Sequence, residues 1–136
     1  MKKILLGILV LVAIGGIVGY ILYNQPHRDI QRAEPDYTLS APALYADFEN
    51  AEATANERYL DKVIRVHGKV VELRTDDAGQ TNVVLDGGGI LGGVICRSDP
   101  YSKTNLQNLN AGEEVILQGL CTGMLMDVVL VRCVRI

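Results

Sequence analysis

The sequence predicts an all-β, five-stranded barrel that carries an N-terminal amphipathic helix and is preceded by a single transmembrane helix. Three observations predict this fold class. Residues 4–23 contain no charge, residues 40–59 repeat apolar side chains at helical spacing, and from residue 62 onward short segments alternate apolar and polar residues between turns. The length of 136 residues leaves room for one modest domain plus these attachments.

The N-terminal segment Ile4–Tyr23 predicts a membrane anchor. It follows Lys2 and Lys3 and is entirely uncharged. At about 1.5 Å per residue, about 20 helical residues span a bilayer core roughly 30 Å thick. A cleaved signal peptide is the alternative, but it has a shorter apolar core followed by a small-x-small cleavage site. Because this run ends GYILYNQP, without such a site, an uncleaved helix is favoured.

The flanking charges predict how the anchor is oriented. Lys2 and Lys3 favour a cytoplasmic location for residues 1–3, so the C-terminal domain is expected outside the cytoplasm. In a bacterium this is the outer side of the cytoplasmic membrane, which in many bacteria faces the periplasm. Gly15 and Gly19 form a Gly-xxx-Gly pair that would let two such helices dimerise, although glycine is also common in membrane helices without that role.

Between the anchor and the barrel, the sequence predicts a linker and then one helix. Residues 24–42 are polar and contain Pro26 and Pro35, which is typical of a tether that lifts a domain off the membrane. Ser40 is a candidate N-cap for a helix of about four turns that ends near Tyr59. Its apolar stripe consists of Leu44, Phe48, Ala51, Ala55 and Tyr59. The barrel domain with this leading helix is expected over residues 43–136.

The barrel is predicted to begin with a long strand at residues 62–73. Apolar side chains alternate with polar ones along it, as in a half-buried strand. Gly68 interrupts the apolar face, where a missing side chain allows a bulge or a sharp bend. The apolar face consists of Ile64, Val66 and Val70, and the polar face of Arg65, His67 and Lys69.

Four further strands follow, at Thr81–Asp86, Val94–Arg97, Glu114–Cys121 and Asp127–Ile136, with a short helix expected within Ser98–Leu109. Five strands with a helical connection between the third and fourth match an OB-fold barrel, with a small open β-sandwich as the alternative. The glycine-rich segment 87–93 reads GGGILGG. Because no Lys-Ser/Thr pair and helix follow it, it predicts a strand connection and not a phosphate-binding loop.

Several stretches of the chain resemble a known family. They are ANERY at 55–59 leading into KVIRVHGKV at 62–70, LNAG at 109–112 leading into VILQG at 115–119, and GLCTGMLMDVVL at 119–130 followed by Cys133. These stretches are similar to the tRNA_anti-like family, bacterial OB-fold proteins named for their likeness to tRNA-anticodon-binding domains. The resemblance covers residue 43 to the end and implies a membrane-anchored OB barrel. It implies no particular ligand, because a fold alone does not establish function.

The three cysteines are Cys96, Cys121 and Cys133, and strand alternation places all three side chains in the core. In an OB barrel the last two strands are antiparallel neighbours, so Cys121 and Cys133 are candidates for a disulfide, which would persist outside the cytoplasm. Buried free thiols are the alternative. The cysteine and histidine spacing matches no zinc motif, so neither a metal nor another cofactor is expected.

The polar face of the first strand, formed by Arg65, His67 and Lys69, is the candidate ligand stripe. An anionic peptide, glycan or lipid headgroup would suit it, but a solvated outer face of the barrel would have the same pattern. From Leu60 onward, 8 basic and 9 acidic residues leave a formal charge of −1, and Tyr101 is the only aromatic residue. Proteins that bind nucleic acid usually carry a positive excess, and OB folds that hold single strands stack bases on aromatic rings.

The sequence also shows no catalytic constellation. His67 has no nearby serine or cysteine, and the paired Asp76 and Asp77 lie in a predicted turn. We therefore expect a non-enzymatic, single-pass, membrane-anchored module outside the cytoplasm that binds an unidentified protein or an anionic ligand. The alternative is a protein that binds single-stranded nucleic acid, which would require the domain to face the cytoplasm.

Overall fold

A computed structural model describes all residues except 25–28, 103 and 105. It contains helix α1 (Lys2–Tyr23), strand β1 (Tyr37–Ser40) and helices α2 (Ala41–Asn50) and α3 (Glu52–Tyr59). The remaining strands are β2 (Val63–Thr75), β3 (Thr81–Asp86), β4 (Gly93–Ser98), β5 (Glu114–Met124) and β6 (Val128–Arg135). A short 3₁₀ helix, Leu106–Asn108, lies between β4 and β5, as the sequence predicts.

Strands β2 to β6 close into the predicted five-stranded barrel. The sheet order is β1-β2-β3-β4-β6-β5, and an additional pairing of β2 with β5 closes the barrel. β2 can serve both partners because it is long: its first half pairs with β5 and its second half with β3. β4 and β6 pair in parallel. The 3₁₀ helix lies in the connection between β4 and β5. The fold class predicted from the sequence is therefore confirmed.

Gly68 on β2 has a different role from the predicted bend. The register irregularity of β2 against β3 lies between Val70 and Glu72, and the exposed Val71 falls within it. At Gly68, a Cβ atom would lie 2.9 Å from the Cβ of Ala41, the first residue of α2. The glycine therefore allows the start of the helix to lie directly against the barrel wall.

The predicted single helix is two helices separated at Ala51, whose backbone angles (φ −154°, ψ 73°) are not helical. Ser40 is the N-cap of α2, and its Oγ accepts a hydrogen bond from the backbone N–H of Ala43 at 3.2 Å. The two helices are joined through side chains, because the hydroxyl of Tyr59 donates to Asp47 Oδ2 at 2.6 Å. Leu44, Phe48, Ala55 and Tyr59 of the predicted stripe are buried in the main core, whereas Ala51 is exposed.

The structure differs from the predicted linker over residues 29–42. Ile30 is buried with Val63 and Val134 in a second, smaller core on the outside of the barrel. Asp36 pairs twice with Val63, since its backbone N–H donates to the Val63 carbonyl and its carboxylate accepts from the Val63 N–H, both at 2.8 Å. Tyr37–Ser40 then adds β1 in parallel to β2. The segment from Asp29 onward is thus docked on the barrel and does not act as a free tether.

Helix α1 makes no contribution to either core. None of its residues is buried, and its mean hydropathy is 2.7 over the most apolar window. By length and composition it is able to cross a membrane. Between its end and the docked segment lie only the few residues 24–28.

Candidate functional site

The predicted ligand stripe lies on the outer face of β2, and the structure divides it. Arg65 is half-buried, and its Nε donates to Gln118 Oε1 at 3.0 Å. His67 and Lys69 are exposed, and their register partners on β5 are Ile116 and Glu114. An acidic residue directly opposite Lys69 reduces the positive potential at that position. The stripe is therefore two exposed side chains beside an arginine that already has a structural partner.

Arg65 is held in place by Gln118 of β5. Gln118 is fully buried, because residues 30–33 cover it. Its Nε2 donates to the carbonyls of Ile30 at 2.6 Å and Ala33 at 2.8 Å. One carboxamide thus connects the docked N-terminal segment, β5 and β2. This role cannot be seen in the sequence, since a glutamine between apolar residues is also the pattern of a solvated strand face.

The three cysteines are fully buried and none forms a disulfide. Burial raises the pKa of the Cys121 and Cys133 thiols, and a hydrogen bond with Cys96 raises the pKa of Cys133 further. Cys121 lies opposite Leu130 in the β5–β6 register, three residues before Cys133. A Cys121–Cys133 disulfide stays a prediction, and it would require the two strands to shift. As free thiols, both groups are poor nucleophiles because the thiolate is disfavoured.

A second surface, which the sequence did not indicate, is the outer side of β3, β4 and β6. We call it the aliphatic face; its half-buried members are Val84, Ile95, Val129 and Val131. Val129 and Val131 line a cavity of about 560 Å³ together with Met124 and Leu125. Of the described residues that line this cavity, Arg97 alone is ionisable. This cavity therefore combines aliphatic side chains with the polar Asn56 and Thr122 and one cationic side chain.

Two loops with exposed apolar residues adjoin one end of the aliphatic face. The β3–β4 loop presents Ile90 and Leu91, and the β5–β6 hairpin presents Leu125 and Met126; we call these four residues the apolar tips. Their exposed fractions run from 77% to 100%. The bases of the two loops are joined, because the backbone N–H of Gly93 donates to Asp127 Oδ1 at 2.7 Å. Exposed aliphatic side chains brought together in this way are typical of a contact surface.

The glycines of the β3–β4 loop serve packing. A Cβ at Gly92 would lie 2.5 Å from the hydroxyl oxygen of Tyr45, and one at Gly87 would clash with the carbonyl oxygen of Gly92. The loop thus folds closely over the Tyr45 ring of α2. The sequence offered one indication of the apolar tips, which is that the segments GGGILGG and MLM contain no charged residue.

The described residues offer no group of three His, Cys, Asp or Glu side chains that could hold a metal ion. The exposed His67 is also distant in register from the buried thiols, since it pairs with Ile116 at the far end of β5 from Cys121.

Comparison with known proteins identifies the family. The family model named tRNA_anti-like matches residues 1–135, which is nearly the whole chain. The chain belongs to the tRNA_anti-like family. Because the match includes residues 1–23, the apolar helix is part of what the family model describes, as the barrel is. No protein of curated function is detectably similar to this tRNA_anti-like chain in sequence.

The same fold occurs in a solved structure from Klebsiella pneumoniae subsp. pneumoniae MGH 78578, described as a proposed nucleic acid-binding lipoprotein. The two share 18% sequence identity over 82% of this chain and 99% of the other, with a TM-score of 0.58. At this identity the similarity establishes the fold alone.

Proposed function

We propose that this tRNA_anti-like protein is anchored in the bacterial cytoplasmic membrane by α1 and holds its OB barrel outside the cytoplasm as a non-catalytic binding module. The observation that carries the proposal is α1 itself. A helix of 22 residues with no buried side chain and with charges only at Lys2 and Lys3 needs an apolar solvent, and a bilayer provides one.

The surface of the barrel supports a binding role over catalysis. Its cysteine thiols are buried, its exposed histidine stands beside an isoleucine, and its aliphatic face and apolar tips expose aliphatic side chains. A contact surface of this kind recognises a partner through shape and apolar area. His67 and Lys69 remain the candidates for an additional contact to an anionic group.

Reporter fusions after Ile136 test the location of the barrel. Alkaline phosphatase is active only outside the cytoplasm, and green fluorescent protein exported by the same route stays dark. We expect an active phosphatase fusion and a dark fluorescent fusion, with the chain resisting extraction by alkaline carbonate. A fluorescent fusion paired with an inactive phosphatase would place the barrel inside and overturn the proposal. A matched variant that lacks residues 2–23 should reverse both reporters and leave the membrane fraction.

The alternative function is binding of single-stranded nucleic acid, which the name of the Klebsiella protein favours. Two features of this chain oppose it: a formal net charge of −3, and an aliphatic face whose cavity is lined without an aromatic ring among its described residues. Titration of the full chain in nanodiscs with a labelled oligonucleotide at low and at physiological salt distinguishes the two. Micromolar binding that weakens steeply with salt would support nucleic acid, and absence of binding at both salts would support the module.

A further inference from the structure

The apolar tips form an unusual surface for a domain of this size. The seven residues of GGGILGG and the three of MLM contain no charge, and the two segments lie side by side through the Gly93–Asp127 hydrogen bond. Ile90 is fully exposed and Leu125 is 92% exposed. Leaving such side chains in water is unfavourable, because apolar surface is stabilised by removal from water.

The chain length between anchor and barrel decides which partner is nearest. Asn24 follows the end of α1, and the docked segment begins at Asp29. Five residue steps span at most about 17 Å even when fully extended. The start of the docked segment is therefore held within about 17 Å of the end of α1.

The strands of the barrel show how the tips reach the bilayer that contains α1. Asp29 lines one cavity with Asp99 and Val134, near the C-terminal ends of β4 and β6. The apolar tips lie at the N-terminal ends of the same two strands. A six-residue strand such as β4 is about 20 Å long. Because the docked segment contacts the end of β6 and the tips lie at its start, a barrel with β6 along the bilayer would bring both to the membrane.

The ionisable side chains near the tips differ between two cavities. Glu72, Arg74, Asp86 and Asp127 line the cavity beside Ile90 and Leu91, so the cation that could meet lipid lies on the hairpin side. Arg97 lines the cavity between the aliphatic face and the hairpin, where a guanidinium would meet lipid phosphates. The half-buried valines of the face lie around it. Apolar residues that enter the boundary between headgroups and acyl chains, with a cation at headgroup level, are the pattern of a membrane-surface contact.

We propose that Ile90, Leu91, Leu125 and Met126 insert into the outer leaflet of the membrane in which α1 is anchored, so that the barrel lies on its aliphatic face. This inference rests on the proposed anchoring. OB barrels commonly bind ligands on the face formed by their second and third strands, which are β3 and β4 in this chain. Here the membrane surface is the proposed partner of that face.

Single tryptophan probes test the insertion, because the chain has no tryptophan of its own. Leu91→Trp and Met126→Trp are placed in the full chain, reconstituted in nanodiscs of phosphatidylcholine with and without brominated acyl chains. We expect blue-shifted emission at both positions and loss of that emission in brominated discs. Ala78→Trp, in the exposed β2–β3 turn, is the matched control and should emit as in water in both kinds of disc.

Each other outcome overturns the insertion. Emission typical of water at positions 91 and 126 would show that the tips stay in solvent. A blue shift without quenching by bromine would mean that protein covers the tips, for instance a second copy of this chain. Equal quenching of tryptophan at positions 78 and 91 would mean that the barrel contacts lipid without a preferred orientation. Flotation of the same samples tests the anchor separately, because a chain that floats with lipid but has unquenched tips fails only the insertion.

Discussion

At the scale of single residues, Gln118 is the side chain on which the docking of the N-terminal segment depends. Replacing it in Gln118→Leu leaves the buried carbonyl of Ile30 without its donor and frees Arg65 from its partner. Buried groups left unpaired in this way cost about 1–3 kcal/mol each, so we expect the free energy of unfolding to fall by about 2–4 kcal/mol. Urea unfolding of the full chain in detergent measures this loss.

The control for Gln118 is Gln31→Leu, which changes the same residue type at an exposed position of the docked segment. Its effect should stay within about 0.5 kcal/mol. Hydrogen exchange adds a readout of mechanism: in Gln118→Leu, the backbone amides of Gln31 and Ala33 should exchange faster while those of β3 keep their protection. Equal destabilisation by the two variants would contradict the bridging role of Gln118.

The buried thiols predict a loss of stability at alkaline pH. Burial raises the pKa of Cys121 and Cys133 above the ordinary value of 9.0. Above pH 9 the unfolded chain therefore releases thiol protons that the folded chain retains, and the free energy of unfolding falls as pH rises. Each thiol contributes a slope of up to about 1.4 kcal/mol per pH unit. Below pH 9 both states are protonated and this contribution is fully present.

Urea midpoints measured with reductant between pH 7.5 and 10 check this slope. The paired substitutions Cys121→Ala and Cys133→Ala should flatten the curve just above pH 9, even though they lower overall stability by removing buried volume. Tyr59 would still steepen it above pH 10, since burial raises the pKa of its hydroxyl. A slope above pH 9 that is the same with and without the thiols would show that other groups cause it.

At the scale of elements, the contact of α2 with β2 depends on Gly68. In Gly68→Ala the new Cβ would lie 2.9 Å from the Ala41 Cβ, and both atoms are fixed to the backbone. Such overpacking costs about 1–3 kcal/mol. Adding Ala41→Gly removes the opposing Cβ, so we expect the double variant to recover most of that loss relative to Ala41→Gly alone.

A double-mutant cycle on the free energy of unfolding measures the coupling between these two positions. Gly89→Ala is the matched control, because its new Cβ would meet Tyr45 at an ordinary 3.6 Å and its backbone angle is unexceptional. Additive effects of Gly68→Ala and Ala41→Gly would mean that Gly68 serves the strand and not the helix contact.

The elements also show what a sequence can predict here. The strand Thr81–Asp86 was predicted with its observed bounds, because its alternation is local and turn residues flank it. The strand β1 was missed, since four residues acquire strand structure only by pairing with β2, far along the chain. The break at Ala51 was missed because the apolar spacing continues through it.

The candidate sites were predictable to the same limited degree. Alternation correctly placed Arg65, His67 and Lys69 on the outside of β2. It could not show that Gln118 holds Arg65, because that contact depends on a segment more than 80 residues away. The apolar tips were not predicted for a related reason. A single uncharged loop is typical of a strand connection, and only the fold shows that a second uncharged loop lies beside it.

At the scale of the whole molecule, the number of residues between α1 and the docked segment sets how often the tips meet the membrane. We call these residues, 24–28, the tether. Inserting about 20 Gly-Ser residues between positions 28 and 29 would lengthen the segment between α1 and Asp29 roughly fivefold. Because the effective concentration of a tethered group falls as about the −3/2 power of linker length, it should drop about tenfold. A tenfold drop corresponds to about 1.4 kcal/mol, enough to release a contact made by four side chains that is weak without the tether.

The measurement is the quenching of Leu91→Trp by brominated lipid, compared between the native and the lengthened tether. We expect the lengthened chain to lose most of its quenching while α1 stays in the disc, because the anchor is independent of the tether. The same Gly-Ser stretch added after Ile136 should change nothing. If quenching at position 91 is unaffected by the longer tether, the tips bind the bilayer strongly by themselves, and the short segment after α1 does not determine how the barrel lies.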